Sequence, residues 1–191
     1  MRPSVFFRND VCLHRKTPLG YDPERVLLRP LEAMDETDAW RAMPVKGDDA
    51  GVPLDVYRRC ANNCSAAACN WLVPIAESSS QPLCRGRRPV RTVPDSAVAG
   101  NDALWAKIEE AKCAVVAQFF ALKLPVRSKV SEDAERGVMF DLLRMPDGGP
   151  KVLTGHDDGL MTLDISEADD AYREGVRAKM GKPYRTLIGH V

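Results

Sequence analysis

Four cysteines fall within one short stretch, CANNCSAAACNWLVPIAESSSQPLC, at Cys60, Cys64, Cys69 and Cys84. Thiolates are zinc ligands, and structural zinc takes four sulfur or nitrogen donors in a tetrahedron, often as two close pairs from two turns. The spacing here is C-x3-C-x4-C-x14-C. It is not a clean pair of Cys-x-x-Cys turns. Two readings stay open on spacing alone: a zinc site, or small unpaired residues in a loop-rich segment. A fifth cysteine, Cys12, stands with His14 in CLHRK. A lone Cys-x-His is a poor ligand pair, and a surface turn is the plainer reading. The sixth, Cys113, sits among apolar residues and reads as a buried structural thiol.

Other chemistry is thinly represented. His156, Asp157 and Asp158 stand together in HDDG, but Asp-Asp-Gly between apolar runs is first of all turn chemistry. His190 has no partner nearby in sequence. The stretch RGRRPVR, from Arg85 to Arg91, is a local basic cluster that could meet phosphate. No aromatic residues interleave it for base stacking, so a solvated face is the expectation. Serine-nucleophile and phosphate-loop patterns are absent.

The elements that must carry these residues are of two kinds. Residues 1–50 are rich in proline and charge and read as short strands and turns, with a helical turn or two over Pro30–Met43. Residues 51–95 show no helical period and carry four cysteines, as expected of a small module that a metal organises. From Asn101 the pattern changes. Leu104, Ile108, Ala111, Val115, Phe119 and Leu122 recur every three or four residues and predict one long amphipathic helix, with Asn101 or Asp102 as N-cap and Pro125 beyond its end. Strands are predicted over Gly137–Leu143 and Lys151–Gly155. HDDG turns the second of these into a returning strand, Leu160–Ile165. A further helix opens at Ser166, whose capping box would use Asp169, and stops at Gly181. Asp169 and Arg173 fall at i,i+4 spacing on it. A last helix is predicted to start at Pro183, with Tyr184, Leu187, Ile188 and Val191 apolar.

The bulk numbers exclude several classes. Lys plus Arg and Asp plus Glu are 27 each, so no net field draws the chain to nucleic acid or anionic lipid. No apolar run approaches the ~18 residues that cross a bilayer. A signal peptide is not apparent, so a cytoplasmic protein is expected, whose cysteines are thiols or metal ligands rather than disulfides.

From Tyr57 onward the wording of the sequence resembles a bacterial family of zinc-binding metallopeptidases with an N-terminal zinc-ribbon domain. The stretches that carry it are YRRCANNCSAAACNWLVP, PLCRGRRPVRTVPD, GPKVLTGHDDGLMTLDISEADDAYRE and KPYRTLIGHV, with FFRNDVCLHRKTPLGYDP near the start. The resemblance implies zinc ligands at Cys60, Cys69 and Cys84. The fourth ligand position, three after Cys84, holds Arg87, which cannot ligate a metal. Cys64 is close enough in sequence to substitute. In the first ribbon turn Cys12 remains, with Arg15 where its partner would stand. After YRTLIGHV the family is expected to continue into a His-Glu-x-x-His helix, two histidines holding zinc and the glutamate activating water. That motif does not occur in these 191 residues. The chain is therefore expected to be a fragment that ends before the motif and lacks hydrolytic activity.

The fold class expected is α+β: a degenerate zinc-ribbon-like part over 1–95, then the leading portion of a zincin-like peptidase domain over 96–191. The cofactor expected is structural zinc, on Cys60, Cys69 and Cys84 with Cys64 and Cys12 as further candidates. A protein or peptide partner is expected before a nucleic acid. The rival reading is a zinc-ribbon interaction module that binds protein or nucleic acid.

Overall fold

The computed structural model of the chain describes residues 5–34, 38–45, 55–145, 152–181 and 186–189. It is an α+β protein of two compact units, Met1–Cys84 and Arg85–Val191.

The first unit is an antiparallel meander. Strands β1 (Leu19–Asp22), β2 (Leu27–Ala33), β3 (Trp40–Ala42), β4 (Val56–Arg59) and β5 (Leu72–Pro74) pair in chain order. The predicted helical turn over Pro30–Met43 is instead the end of β2 and all of β3, with Leu31 opposite Ala42 and Ala33 opposite Trp40. Alternation wins there: Leu31 and Ala42 face inward with Tyr57 and Leu72, and Trp40 packs against them. Residues 35–37 of that stretch lie outside the described residues. The sheet curls, since the Tyr21 N–H donates to the Asn70 carbonyl at 2.8 Å. This brings β1 against the start of β5, where the Tyr21 and Trp71 rings meet tilted at 51° with centroids 4.6 Å apart and Phe7 meets Tyr21 edge-on at 4.8 Å. Below them the Tyr57 hydroxyl donates to Asp22 Oδ2 at 2.8 Å, and the Asp22 carboxylate is also paired with Arg25.

The second unit sets one long helix beside a four-stranded sheet. Strand β6 (Val90–Thr92) precedes helix α1 (Asn101–Ala121); strands β7 (Met139–Leu143), β8 (Gly155–Asp157) and β9 (Leu160–Asp164) follow, then helix α2 (Asp170–Lys179). The order is β6-β7-β9-β8, with β6, β7 and β9 parallel and β8 antiparallel at one edge.

Helix α1 has the predicted span and an inner face that keeps Ile108 and Ala111 of the predicted stripe but is turned away from its end. Trp105, Ile108, Glu109, Lys112, Cys113 and Val116 are buried, whereas Phe119 is 40% and Leu122 68% exposed. The apolar stripe misled because paired charges fill part of the inner face. The N-cap is Gly100 at φ 85°, not Asn101 or Asp102. Asn101 is buried, donating to the Asp95 carbonyl at 2.7 Å and accepting from Arg144 at 2.6 Å.

The hairpin turn is Asp158-Gly159, both with positive φ, as a two-residue primed turn requires. Its first strand begins at Gly155, so His156 and Asp157 are strand residues and the predicted strand over Lys151–Gly155 is shifted along the chain; Lys151 lies outside the described residues. The capping box at Ser166 is replaced by two separate caps. Asp164 accepts from the Ser166 N–H across a 3-10 turn (Ile165–Ala168), and Asp169 accepts from the Tyr172 N–H to open α2. Arg173 pairs with Asp170 at 2.6 Å rather than with Asp169. Residues 182–185 and 190–191 of the predicted last helix, including Pro183, Tyr184, His190 and Val191, lie outside the described residues. The described stretch 186–189 is bend and turn, not helix.

Candidate metal centre

Cys60 follows β4 directly, and its N–H donates to the Trp71 carbonyl at 3.1 Å, extending the β4–β5 ladder by one step. The chain then winds a 3-10 turn, Ala61–Cys64, and loops back. The Cys69 N–H reaches the Asn62 carbonyl at 3.1 Å, and Asn63 Nδ2 donates to the Cys69 carbonyl at 2.8 Å. Ser65 ties the loop further, its hydroxyl donating to the Asn62 carbonyl at 2.9 Å. The winding puts Ala68 at a positive φ of 40°. The segment after β5 returns so that the Ala61 N–H donates to the Pro82 carbonyl at 3.0 Å, which delivers Cys84 to the same spot.

The result is a group of three buried sulfurs. The Sγ atoms of Cys60, Cys69 and Cys84 all lie within 4.8 Å of one another, and the three residues are 1%, 3% and 0% exposed. Cys69 Sγ and Cys84 Sγ are 3.7 Å apart. A tetrahedral zinc with Zn–S bonds of ~2.3 Å requires sulfurs ~3.8 Å apart, so this edge has the size of the ion's coordination sphere. None of the three is in a disulfide. The Cys84 N–H points at Cys60 Sγ, 3.4 Å away, a donor that favours sulfur as thiolate. Without a cation the crowding works the other way. The Cys60 thiol is pushed up to about 11, first by the hydrogen bond with Cys69. Cys84 is pushed well above the thiol range, first by burial. Three sulfurs held this close become thiolates together only around a shared positive charge. The residues present therefore fit zinc.

The other candidate ligands stand apart from that group. Cys64 is exposed, with its Sγ 3.9 Å from Asn63 Oδ1. Cys12 is buried in a separate turn. The N–H groups of Arg15 and His14 lie on its sulfur and hold the thiol below its usual range. Its N–H donates to the Thr17 carbonyl and its carbonyl accepts from Lys16, at 2.8 and 2.7 Å. Among the described residues, no imidazole or carboxylate joins the three thiols.

The expectation of a solvated basic face over RGRRPVR is overturned for Arg87 and Arg88, while Arg91 is exposed. Arg87 and Arg88 are 2% and 7% exposed. Arg87 is ion-paired with Glu109, and Arg88 Nη1 meets Glu132 Oε1 at 2.9 Å. Arg91 grips Asp141 through two nitrogens, with Nε 2.9 Å from Oδ1, and Thr92 adds a 2.7 Å hydrogen bond to the same oxygen. Asp141 is thereby held below the ordinary carboxylate range, first by the Arg91 hydrogen bond. Sequence reading missed Glu109 and Lys112. Lys112 Nζ sits 2.9 Å from Glu109 and 2.8 Å from the Gly86 carbonyl, wholly buried. The signal available was a Glu-x-x-Lys pair one turn after Trp105, flanking the apolar stripe rather than lying on it.

Family comparisons agree with this arrangement. Residues 2–98 match a zinc-ribbon domain family, and residues 101–191 match a family described as "Putative zinc-binding metallo-peptidase". The chain belongs to the zinc-ribbon domain family, and its second half is similar to the metallo-peptidase family. Proteins of Mycobacterium tuberculosis and Mycobacterium bovis, each described as an uncharacterized protein, are 35% identical to it over 184 residues. The match covers 96% of this chain and 46% of theirs, so the chain spans about half the length of the curated relatives it matches. No solved structure matches. Within the zinc-ribbon part, the three buried thiols come from the ribbon segment itself. Within the peptidase-family part, no helix among the described residues is long and apolar enough to cross a membrane.

Proposed function

We propose that these 191 residues are a zinc-holding part of the metallopeptidase family's architecture, structural rather than hydrolytic. The observation that carries this reading is the buried Cys60–Cys69–Cys84 group, whose sulfurs lie within 4.8 Å of one another. Zinc there would supply a covalent cross-link among three chain segments, and so folding energy. The protein's own contribution is to deliver the sulfurs. Cys60 comes from the end of β4, Cys69 from the Asn62–Asn63 loop contacts, and Cys84 from the returning strand of chain at Pro82.

Peptide hydrolysis is assigned to the longer architecture of the family and not to these residues. A hydrolytic zinc needs ligands that leave one position open beside a carboxylate base. The sequence contains no His-Glu-x-x-His. His156 is exposed on the hairpin, away from any group of three potential ligands among the described residues. A reducing, cytoplasmic setting suits six cysteines with no disulfide. A protein or peptide partner is favoured over nucleic acid, because Arg87, Arg88 and Arg91 are engaged with carboxylates inside their own unit.

Metal analysis of the purified chain tests the proposal. One zinc per chain is expected, lost in Cys60→Ser and Cys84→Ser, with no cleavage of a mixed peptide library in the presence of zinc. Chelator-sensitive cleavage by the clean chain would overturn the assignment.

A further inference from the structure

Strand β6, helix α1 and strand β7 form one β-α-β unit, with β6 and β7 adjacent and parallel. In open α/β sheets, small molecules bind in the crevice outside the carboxyl ends of the parallel strands. A crevice of about 480 Å³ lies at that place in the second unit. It is lined by residues 93–95 directly after β6, by residues 142–145 at and beyond the end of β7, and by Val98 and Asn101 at the approach to α1. Its volume is within the range of small-molecule sites. Three polar side chains meet there, and one organises the other two. Asn101 is 2% exposed. Its Nδ2 donates to the Asp95 carbonyl at 2.7 Å, and its Oδ1 accepts from Arg144 Nη1 at 2.6 Å. Arg144 Nη1 also donates to the Ala99 carbonyl at 3.2 Å, and Asp95 Oδ1 accepts from the Ala97 N–H at 2.9 Å. Each charged group is therefore fixed through one of its atoms. Arg144 still presents Nη2 and Nε, and Asp95 still presents Oδ2.

We propose that this crevice binds a small apolar amino acid as its zwitterion, with Arg144 taking the carboxylate, Asp95 taking the ammonium, and Val98, Leu142 and Met145 receiving the side chain. The site is independent of the three-sulfur group and of any metal. Charge selects the ligand class. The lining carries one cation and one anion, so a neutral molecule with separated opposite charges is matched at both ends. A phosphate ester would set more than one negative charge beside the Asp95 carboxylate, and a plain carboxylic acid would leave Asp95 unanswered. A guanidinium receives a carboxylate through two parallel N–H donors, and the Asn101 and Ala99 contacts hold Arg144 by the remaining nitrogen. The apolar part of the lining is graded in depth: Leu142 is fully buried, while Val98 and Met145 are 46% and 39% exposed and form the rim. A branched aliphatic side chain of leucine type entering there covers that rim and leaves water.

Titration of the whole nitrogen-15-labelled chain with L-leucine, followed by amide chemical shifts, tests the site. Saturable shifts are expected at Val98, Asn101, Arg144 and Met145. Three relatives of the probe separate its parts in the unaltered protein. Leucinamide lacks the carboxylate, 4-methylpentanoate lacks the ammonium, and glycine lacks the side chain. The first two should each bind at least about tenfold more weakly, the scale of one lost hydrogen bond to a charged group. Glycine should also bind more weakly than leucine, through the apolar contact it forgoes. Arg144→Gln and Asp95→Asn alter exposed residues and should weaken leucine by a similar factor, with the spectrum away from the crevice unchanged. If Arg144→Gln disturbs the start of α1, the probe series in the parent still decides. Failure of leucine to produce saturable shifts would sink the proposal, and so would shifts confined to other residues. Equal affinity for leucine and 4-methylpentanoate would sink it too, since Asp95 would then take no part, as would equal affinity for leucine and leucinamide on the side of Arg144.

Discussion

Arg87 and Glu109 form a buried ion pair, the arginine 2% exposed and the glutamate 0%. Lys112 approaches the same carboxylate at 2.9 Å, so one anion is shared by two cations within the second unit. The two sides of that arrangement are not equivalent. Glu109→Gln removes the negative charge that two buried cations share and should cost about 3–5 kcal/mol. Arg87→Met leaves Glu109 with Lys112 and should cost less, about 1.5–3 kcal/mol, the scale of a lost hydrogen bond to a charged group. Urea melts of the two variants check the order; equal losses would contradict it.

Zinc removal should act on the first unit. The meander has short strands, three residues each in β3 and β5, and a small core around Leu31, Ala42, Tyr57 and Leu72. A unit of that size depends on a staple. Chelation should lower its melting temperature and raise amide exchange at Cys60, Ala61 and Cys69, whose N–H groups donate the backbone hydrogen bonds that frame the site. Exchange followed by mass spectrometry with and without chelator gives the answer. Unchanged protection would mean that packing alone holds the loop.

Acid should weaken the Arg91–Asp141 link. Asp141 is held below the ordinary value of 3.8 by Arg91. A carboxylate whose folded-state value is depressed contributes stability that is fully present above its unfolded value and is lost as pH falls through the folded one. The parent should therefore lose stability below about pH 4 more steeply than Asp141→Asn, whose melting temperature at neutral pH should already be lower. Parallel melting curves over pH 2–7 would show the two converging on the acid side.

Gly20 is a packing constraint in β1. A Cβ there would stand 2.5 Å from Leu72 Cδ2 and 2.7 Å from its Cγ. Leu72 is 1% exposed and cannot move aside freely. Gly20→Ala should destabilise the first unit by about 1–3 kcal/mol, as overpacked cores do. Leu72→Val in the same chain should recover part of the loss by yielding volume, and a double-mutant cycle measures the coupling.

What could be read from residues alone was local. Helix α1 was legible as an element because apolar residues recur every three or four positions along its twenty-one residues and a proline follows its end. Its inner face was not, because Glu109 and Lys112 look like solvent residues until Arg87 and the Gly86 carbonyl are placed beside them. The hairpin was legible from Asp158-Gly159, since few residue pairs adopt two successive positive φ values. The strand before it was shifted because a short run of mixed residues carries no register of its own.

The sequence by itself determined the chemistry on offer: six thiols, a family resemblance that assigned zinc to the ribbon, and no His-Glu-x-x-His. Tertiary structure alone decided which sulfurs share a point in space and where the arginines go. Cys60, Cys69 and Cys84 meet because β4, a tight loop and a returning segment converge, while Cys64, nearer to Cys60 along the chain, is turned outward. The physical reason is range. Spacing along the chain governs turns and helical faces, whereas ligand distances and charge burial depend on where distant segments are brought back together.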